Sequence, residues 1–244
     1  QYSPEPQEPE LVNVTGGTFP QDGLSSHAGQ NIEDFSIGKR EVTKGEWDTV
    51  RSYALASGYD IDTLGSGGIS TPDATNRPVV LVDWKDVAKW CNAKSEMEGL
   101  TPVYTANGAT YRRGTSNPVA NSNANGYRLP TSAEWEWAFR GGTQSLDYTY
   151  SGGNSIDAVA WYNANSFNSA QPVGQKFANE LGLHDMSGNV AEWCWDSTLA
   201  ANGRAYHRGG SYYSTASACV YWLREDASIL RDYLRGFRVA RKAL

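Results

Sequence analysis

At 244 residues, with nine Trp and 12% aromatics, the chain can bury a sizeable core, as one large domain or two small ones. Its net charge of −6 comes without any Lys/Arg cluster, which excludes nucleic acid as the expected partner. No apolar run is long enough to span a bilayer, and any secretory leader is expected to be missing already from these residues.

Residues 1–10 (QYSPEPQEPE) combine Pro, Glu and Gln, the composition of an extended acidic tether that cannot bury anything. From Leu11 the pattern changes to short strands. Leu11 to Val14 leads to a Gly16-Gly17 turn and Phe19, and Asp34 to Ile37 alternates with Phe35 and Ile37 inward. Thr43 and Glu46 form a capping box that opens a helix carrying Trp47, Val50 and Ala54 on one face and stopping at Gly58. Residues 58–78 are rich in Gly, Asp, Ser and Pro and read as an exposed loop. A second helix starts at Asp83, has an inner stripe of Trp84, Val87, Ala88, Cys91 and Ser95, and ends at Gly99. Cys91 on that stripe reads as a small core hydrophobe.

Residues 100–126 are polar, with Tyr104 and Tyr111 as their only aromatics, and suggest a hairpin or an excursion from the main body. Thr131 and Glu134 repeat the capping box, opening a short helix closed by Arg140-Gly141-Gly142. Glu134 and Glu136 stand two apart and face different ways, so one caps while the other is solvated or paired, and paired acid–base work is not expected. The run Gly182 to Trp193 places a tight turn at Gly188-Asn189 before a buried strand from Val190 to Trp195. Asp185, the carbonyls of Gly188 and Val190, and Glu192 offer hard oxygen ligands of the kind Ca²⁺ prefers. Hydrogen bonds that merely tie the turn together would explain the same residues equally well.

His27, His184 and His207 show no metal-ligand spacing, and Cys91, Cys194 and Cys219 are too few for a disulfide framework. No phosphate loop, nucleophile elbow or Cys-x-x-Cys occurs. The last stretch is bounded by Arg208-Gly209-Gly210-Ser211 and by Gly236-Phe237-Arg238. Paired Gly allows tight turns, and Arg supplies a planar fork that can staple loops. Between these frames Tyr212, Tyr213, Tyr221, Trp222 and Tyr233 are scattered among Ser, Thr and Ala without sustained period. That mixture suits either an irregular loop filling a core or a paratope-like surface, in which aromatics give contact area at little entropic cost.

Five runs decide what the chain resembles. Gly38 to Thr43, Tyr127 to Glu136, Gly182 to Trp193, Arg208 to Ser211 and Gly236 to Arg238, in that order, resemble the formylglycine-generating-enzyme (sulfatase-modifying factor) family from about Leu11 to Arg241. The resemblance implies an α+β class, a single C-type-lectin-like domain over residues 11–244 with small antiparallel sheets, few helices and much irregular chain. It also implies one structural Ca²⁺ at Asp185, Gly188, Val190 and Glu192, the family's other calcium site having no counterpart between Trp161 and Gly182. The family's oxidase holds copper through two thiols separated by four residues after Arg-Gly-Gly-Ser. Here Ser214 takes the first position and Cys219 the second, so the soft pair that Cu(I) needs is broken. Oxidase chemistry is not expected, and Cys219 reads as a buried small residue.

A branch of the family that keeps the scaffold and abandons the chemistry is a closer likeness: the variable proteins of diversity-generating retroelements, those of treponemes most of all. Adenine-directed mutation of an AAC codon gives Tyr, Ser, Thr, Ala, Leu or Asp but never Trp or Glu. Trp222 is therefore expected to be scaffold, and Glu225 is a mismatch or comes from a different template codon. The resemblance implies a ligand face of Tyr213, Ser214, Thr215, Ser217, Ala218, Leu223, Glu225, Asp226, Ala227, Ser228, Arg231, Asp232, Tyr233 and Leu234. It further implies a protein partner on another cell or in the environment, and an outer-membrane lipoprotein anchored by lipid upstream of residue 1. A static relative with oxidase-like or other metal-dependent activity is the alternative.

Overall fold

A computed structural model describes residues 10–69, 71–196 and 202–243, so the expected tether lies, but for Glu10, outside the described residues. In chain order the elements are β1 (Leu11–Val14), β2 (Gly17–Thr18), β3 (Asn31–Ile32), β4 (Phe35–Gly38), α1 (Lys44–Ala56), α2 (Trp84–Met97), β5 (Tyr104–Ala106), β6 (Ala109–Thr110) and β7 (Val119–Ala120). There follow α3 (Ser132–Phe139), α4 (Ile156–Val159), β8 (Ala191–Trp193), β9 (Arg204–Arg208), β10 (Arg224–Ser228), β11 (Arg235–Gly236) and β12 (Ala240–Lys242). The strands form small sheets ordered β1-β4-β12, β10-β9-β8-β11, β2-β3 and β6-β5-β7. The α+β class with small, mostly antiparallel sheets and much irregular chain is the one expected.

Both capping boxes form. Glu46 and Glu134 each receive the backbone N–H of the capping Thr and return the N3 amide to its hydroxyl, so α1 and α3 begin where the sequence places them. Asp83 stands at the N-cap of α2 but makes no cap of its own. Its carboxylate accepts instead the amide of Arg231 at 2.7 Å, tying the helix start to the C-terminal segment.

Helix α2 is covered almost all round, well beyond the expected stripe. Its polar residues are tolerated because each is satisfied. Asn92 exchanges two hydrogen bonds with the backbone of Tyr104, and Asp86 accepts the amide and hydroxyl of Thr63 at 3.0 and 2.9 Å. Part of the cover comes from the segment read as an exposed loop. Tyr59, Ile61, Thr63 and Ser66 are buried, correcting that reading, because the Gly-rich chain lies across the helix. β4 is likewise buried throughout: β1 and β12 cover its two edges, Phe35 and Ile37 pack into the core, and the Ser36 hydroxyl donates to Asn13 at 2.6 Å. The strand expected over Val190 to Trp195 is confined to β8, and Trp195 instead stacks on Trp84 at 4.9 Å.

Phe237 joins the C-terminal frame to the helical core. Its ring meets the Trp47 and Trp90 rings edge-on at 6.0 and 5.3 Å, and those two indoles stack on each other. The sheet order does the remaining positioning. Glu192 on β8 is paired in register with both Arg208 on β9 and Gly236 on β11, so the two frames flank one strand.

Candidate functional site

The first frame is held by backbone shape. Gly209 and Gly210 have φ of +92° and +68°, a conformation that favours glycine. A Cβ on Gly210 would also lie 2.8 Å from the Ala218 carbonyl oxygen and 2.9 Å from Cys219 Sγ. Arg208, 2% exposed, then staples the neighbouring elements. It donates to Glu136 Oε2 at 2.9 Å, to Ser132 Oγ at 2.8 Å and to the Tyr221 carbonyl at 2.5 Å, and meets His27 Nε2 at 3.1 Å. Glu136 is thus the paired carboxylate of α3, and it is fully buried.

In the second frame Arg238 is 0% exposed. Its fork donates to both oxygens of Glu192 at 2.6 and 2.7 Å, to the His184 carbonyl at 2.8 Å and to the Gly38 carbonyl at 3.0 Å. Trp135 Nε1 adds a further donor to Glu192 at 2.7 Å. The adjoining turn rests on Glu41, which the sequence reading did not single out. Its carboxylate accepts Asn189 Nδ2 at 2.8 Å and the Val190 amide at 3.1 Å. Burial, with the charges of Asp185 and Glu192, pushes the Glu41 pKa well above the usual carboxylate range.

The residues expected to hold Ca²⁺ come together only in part. Glu192 is engaged by Arg238 and Trp135, as the hydrogen-bond reading of the turn allowed. Asp185 gives one oxygen to the Gly174 amide at 2.6 Å, while its Oδ1 is buried without a partner. That oxygen fits a cation ligand. Among the described residues, no three His, Cys, Asp or Glu side chains are arranged as a metal cluster.

At the positions corresponding to the copper thiols, Ser214 Oγ accepts the Ser211 amide at 2.9 Å, and the Cys219 thiol points to the Thr215 carbonyl at 3.6 Å. Burial pushes the Cys219 pKa up to about 12, so the sulfur stays protonated at neutral pH. A hydroxyl and a buried thiol do not make a thiolate pair.

Between the frames the chain turns outward. None of the residues expected on the ligand face is buried, and Tyr213 is 64% exposed. Tyr212 and the run Cys219, Val220 and Tyr221 lie among them as buried anchors. One residue departs from expectation. Trp222, read as scaffold, is 43% exposed and only leans edge-on against Tyr221 at 4.9 Å, because Tyr221 already fills the space beside Phe139. Ser214, Glu225, Asp226, Ala227 and Leu234 share a cavity of about 250 Å³ over the β10-β9-β8-β11 sheet, whose wall includes His207 and Arg235. Thr215, Ser217 and Ser228 lie outside its lining.

His207 escaped the sequence reading because its neighbours on the cavity wall come from other strands. Burial and the nearby Arg235 charge lower its pKa to about 4, so the imidazole is neutral.

The family described as sulfatase-modifying factor enzyme 1-like domain matches residues 1–243. The chain is 41% identical over 214 residues to the chaperone protein LppX of Paenibacillus barcinonensis, covering 77% of this chain and 71% of that protein. The crystal structure of CarF superposes with a TM-score of 0.84 at 31% identity, covering 97% of this chain and 99% of that one. Treponema denticola variable protein 1 follows with a TM-score of 0.75 at 26% identity, covering 95% and 94%. The likeness to treponemal variable proteins is therefore real but distant, and CarF is more similar in both sequence and structure.

Proposed function

The chain belongs to the sulfatase-modifying factor enzyme 1-like family, and from that premise we propose that it is a binding protein whose C-terminal segment displays a recognition surface on a rigid scaffold. The observation that supports this most is the partition within one segment. Every residue expected on the face reaches solvent, while Arg208 and Arg238 beside it are buried and ion-paired. No chemical step is assigned to the site, since Ser214 and the protonated Cys219 do not supply the paired thiolates that Cu(I) requires.

The partner is a protein. A surface rich in Tyr, Ser and small residues gives adaptable contact area, and the relative named as a chaperone protein agrees with a role in binding. In this reading retroelement-directed mutation diversifies the face, and residues 1–10 tether the single domain to a lipid anchor at the cell surface. Among the described residues, no helix is long and apolar enough to cross a membrane. A structural Ca²⁺ held through Asp185 Oδ1 would brace the turn before β8. An unchanged melting temperature on adding a chelator removes the ion from the account.

Sequencing the genomic locus beyond the stop codon tests the central claim. A near-copy of the stretch encoding Arg208 to Arg238, differing at adenines and lying beside a reverse-transcriptase gene, is the expected result. Its absence reduces the protein to a family member with one fixed ligand.

A further inference from the structure

We propose that the cavity over β9 and β10 takes the cationic end of a lysine or arginine side chain from the protein partner, held between the Glu225 carboxylate and the His207 imidazole. The inference rests on the recognition-face reading and names the chemistry that the face selects. Glu225 and His207 are directly opposed in the antiparallel register of β10 and β9, so their side chains leave the sheet on the same face. Both line the cavity of about 250 Å³, large enough for one long side chain.

His207 is the observation that points to a ligand. It is 8% exposed, and its ring lies edge-on to Trp193 at 5.9 Å. Neither ring nitrogen is hydrogen-bonded within the described residues, and neither is a fully buried orphan, so the ring is left to bond what enters the cavity it lines. A neutral imidazole with an open nitrogen accepts a hydrogen bond from an ammonium or guanidinium group.

The surrounding charges favour a cation over an anion. Glu225 makes no ion pair among the described residues, whereas Asp226 is paired with Arg204. Arg235 brings the opposing charge, but its guanidinium lies 5.4 Å from the Trp193 ring centroid and 3.5 Å from Asp232. An anion entering the cavity would meet two carboxylates, one of them uncompensated.

On an asparagine template codon, the two proposed contacts would also belong to the constant part of the protein. Glu225 cannot arise from adenine-directed mutation of an asparagine codon, and His207 precedes the first frame. Ser214 and Ala227, on the same wall, can vary. A fixed preference for a basic side chain would then be shared by all variants, while the residues around it tune which partner supplies that side chain.

The test titrates the whole chain with Nα-acetyl-arginine methylamide and Nα-acetyl-lysine methylamide, using the norleucine and aspartate analogues as controls, and follows the His207 imidazole resonances by NMR. A saturable shift is expected with a basic probe and none with norleucine. Glu225→Gln, at an exposed position, should weaken that response at least about tenfold. His207→Gln, checked for folding by thermal melt, should weaken the same response read from backbone amides. An equal response to norleucine, a preference for the aspartate analogue, or an unaffected Glu225→Gln variant overturns the proposal. The failures are separable. A repeat at the locus with no basic-probe response sinks only this inference, and the reverse pair of results sinks only the diversification.

Discussion

Arg208 and Tyr213 stand five positions apart and obey different physics. The guanidinium of Arg208 is enclosed by Glu136, Ser132, His27 and the Tyr221 carbonyl, so removing it takes from the buried Glu136 carboxylate its direct ion-pair partner. The Tyr213 side chain stands in solvent, on a backbone fixed by hydrogen bonds to Ser211. Rigidity in this segment therefore comes from the frames and from main-chain groups, and the outward side chains carry little of it. A surface can change its chemistry freely only where its shape is maintained by something else.

The contrast breaks most visibly at the frames. Arg238→Ala should cost about 3–5 kcal/mol, because Glu192 is left buried beside Asp185 and Glu41 without its partner. In a domain of this size that lowers the melting temperature by roughly 6 °C or more, measured by calorimetry. An effect below about 1 kcal/mol would mean that the frame is not what holds the segment.

Acidification comes next. His207 titrates near 4 when folded, below its ordinary value of 6.5. The unfolded chain binds the extra proton between those values, so this contribution to stability is complete above about pH 6.5 and is lost as pH falls toward 4. The loss amounts to at most about 3 kcal/mol, and His207→Gln should flatten the corresponding part of the stability–pH curve. His27, beside Arg208, is lowered to about 4 by burial and that guanidinium, and it adds to the same slope.

A smaller change is expected at the helix starts. Thr131→Ala removes one capping hydroxyl and should cost about 1 kcal/mol in denaturant unfolding. On the face itself, Ser217→Tyr or Thr215→Asp should alter stability by no more than about 0.5 kcal/mol while changing partner binding. Two such variants losing several kcal/mol would erase the distinction between frame and face.

How much of this was legible varied with distance along the chain. Thr43 with Glu46 and Thr131 with Glu134 could be read because a capping box closes within one helical turn. The two frames were legible as Gly and Arg types, but not their partners. Glu136 lies 72 positions from Arg208, and Glu41 lies 148 from Asn189. The segment over residues 58–78 misled because its composition is that of a loop, whereas its burial depends on α2 passing beneath it. Trp222 misled for a related reason. The codon argument speaks only to whether its codon is diversified, and that does not determine which way a side chain points. The cavity was invisible in sequence, since His207, Glu225 and Leu234 meet only when strand order is known.

On the proposed diversification, the hydrogen bonds that fix the face have a consequence for the repertoire. The Arg231 amide goes to Asp83, the Leu234 amide to Asp232, and the amides of Ser214 and Ala218 to Ser211 and Thr215. Each donor takes part through its amide, a group that almost every amino acid possesses, so as donors these sites are open but for one letter. Proline has no amide hydrogen to give. Its codon CCC is as reachable from AAC as the alanine codon GCC, so a census of natural variants should find alanine common and proline scarce at diversified sites among these. Selection on the main chain would thus be written into the family of variants as a single missing residue.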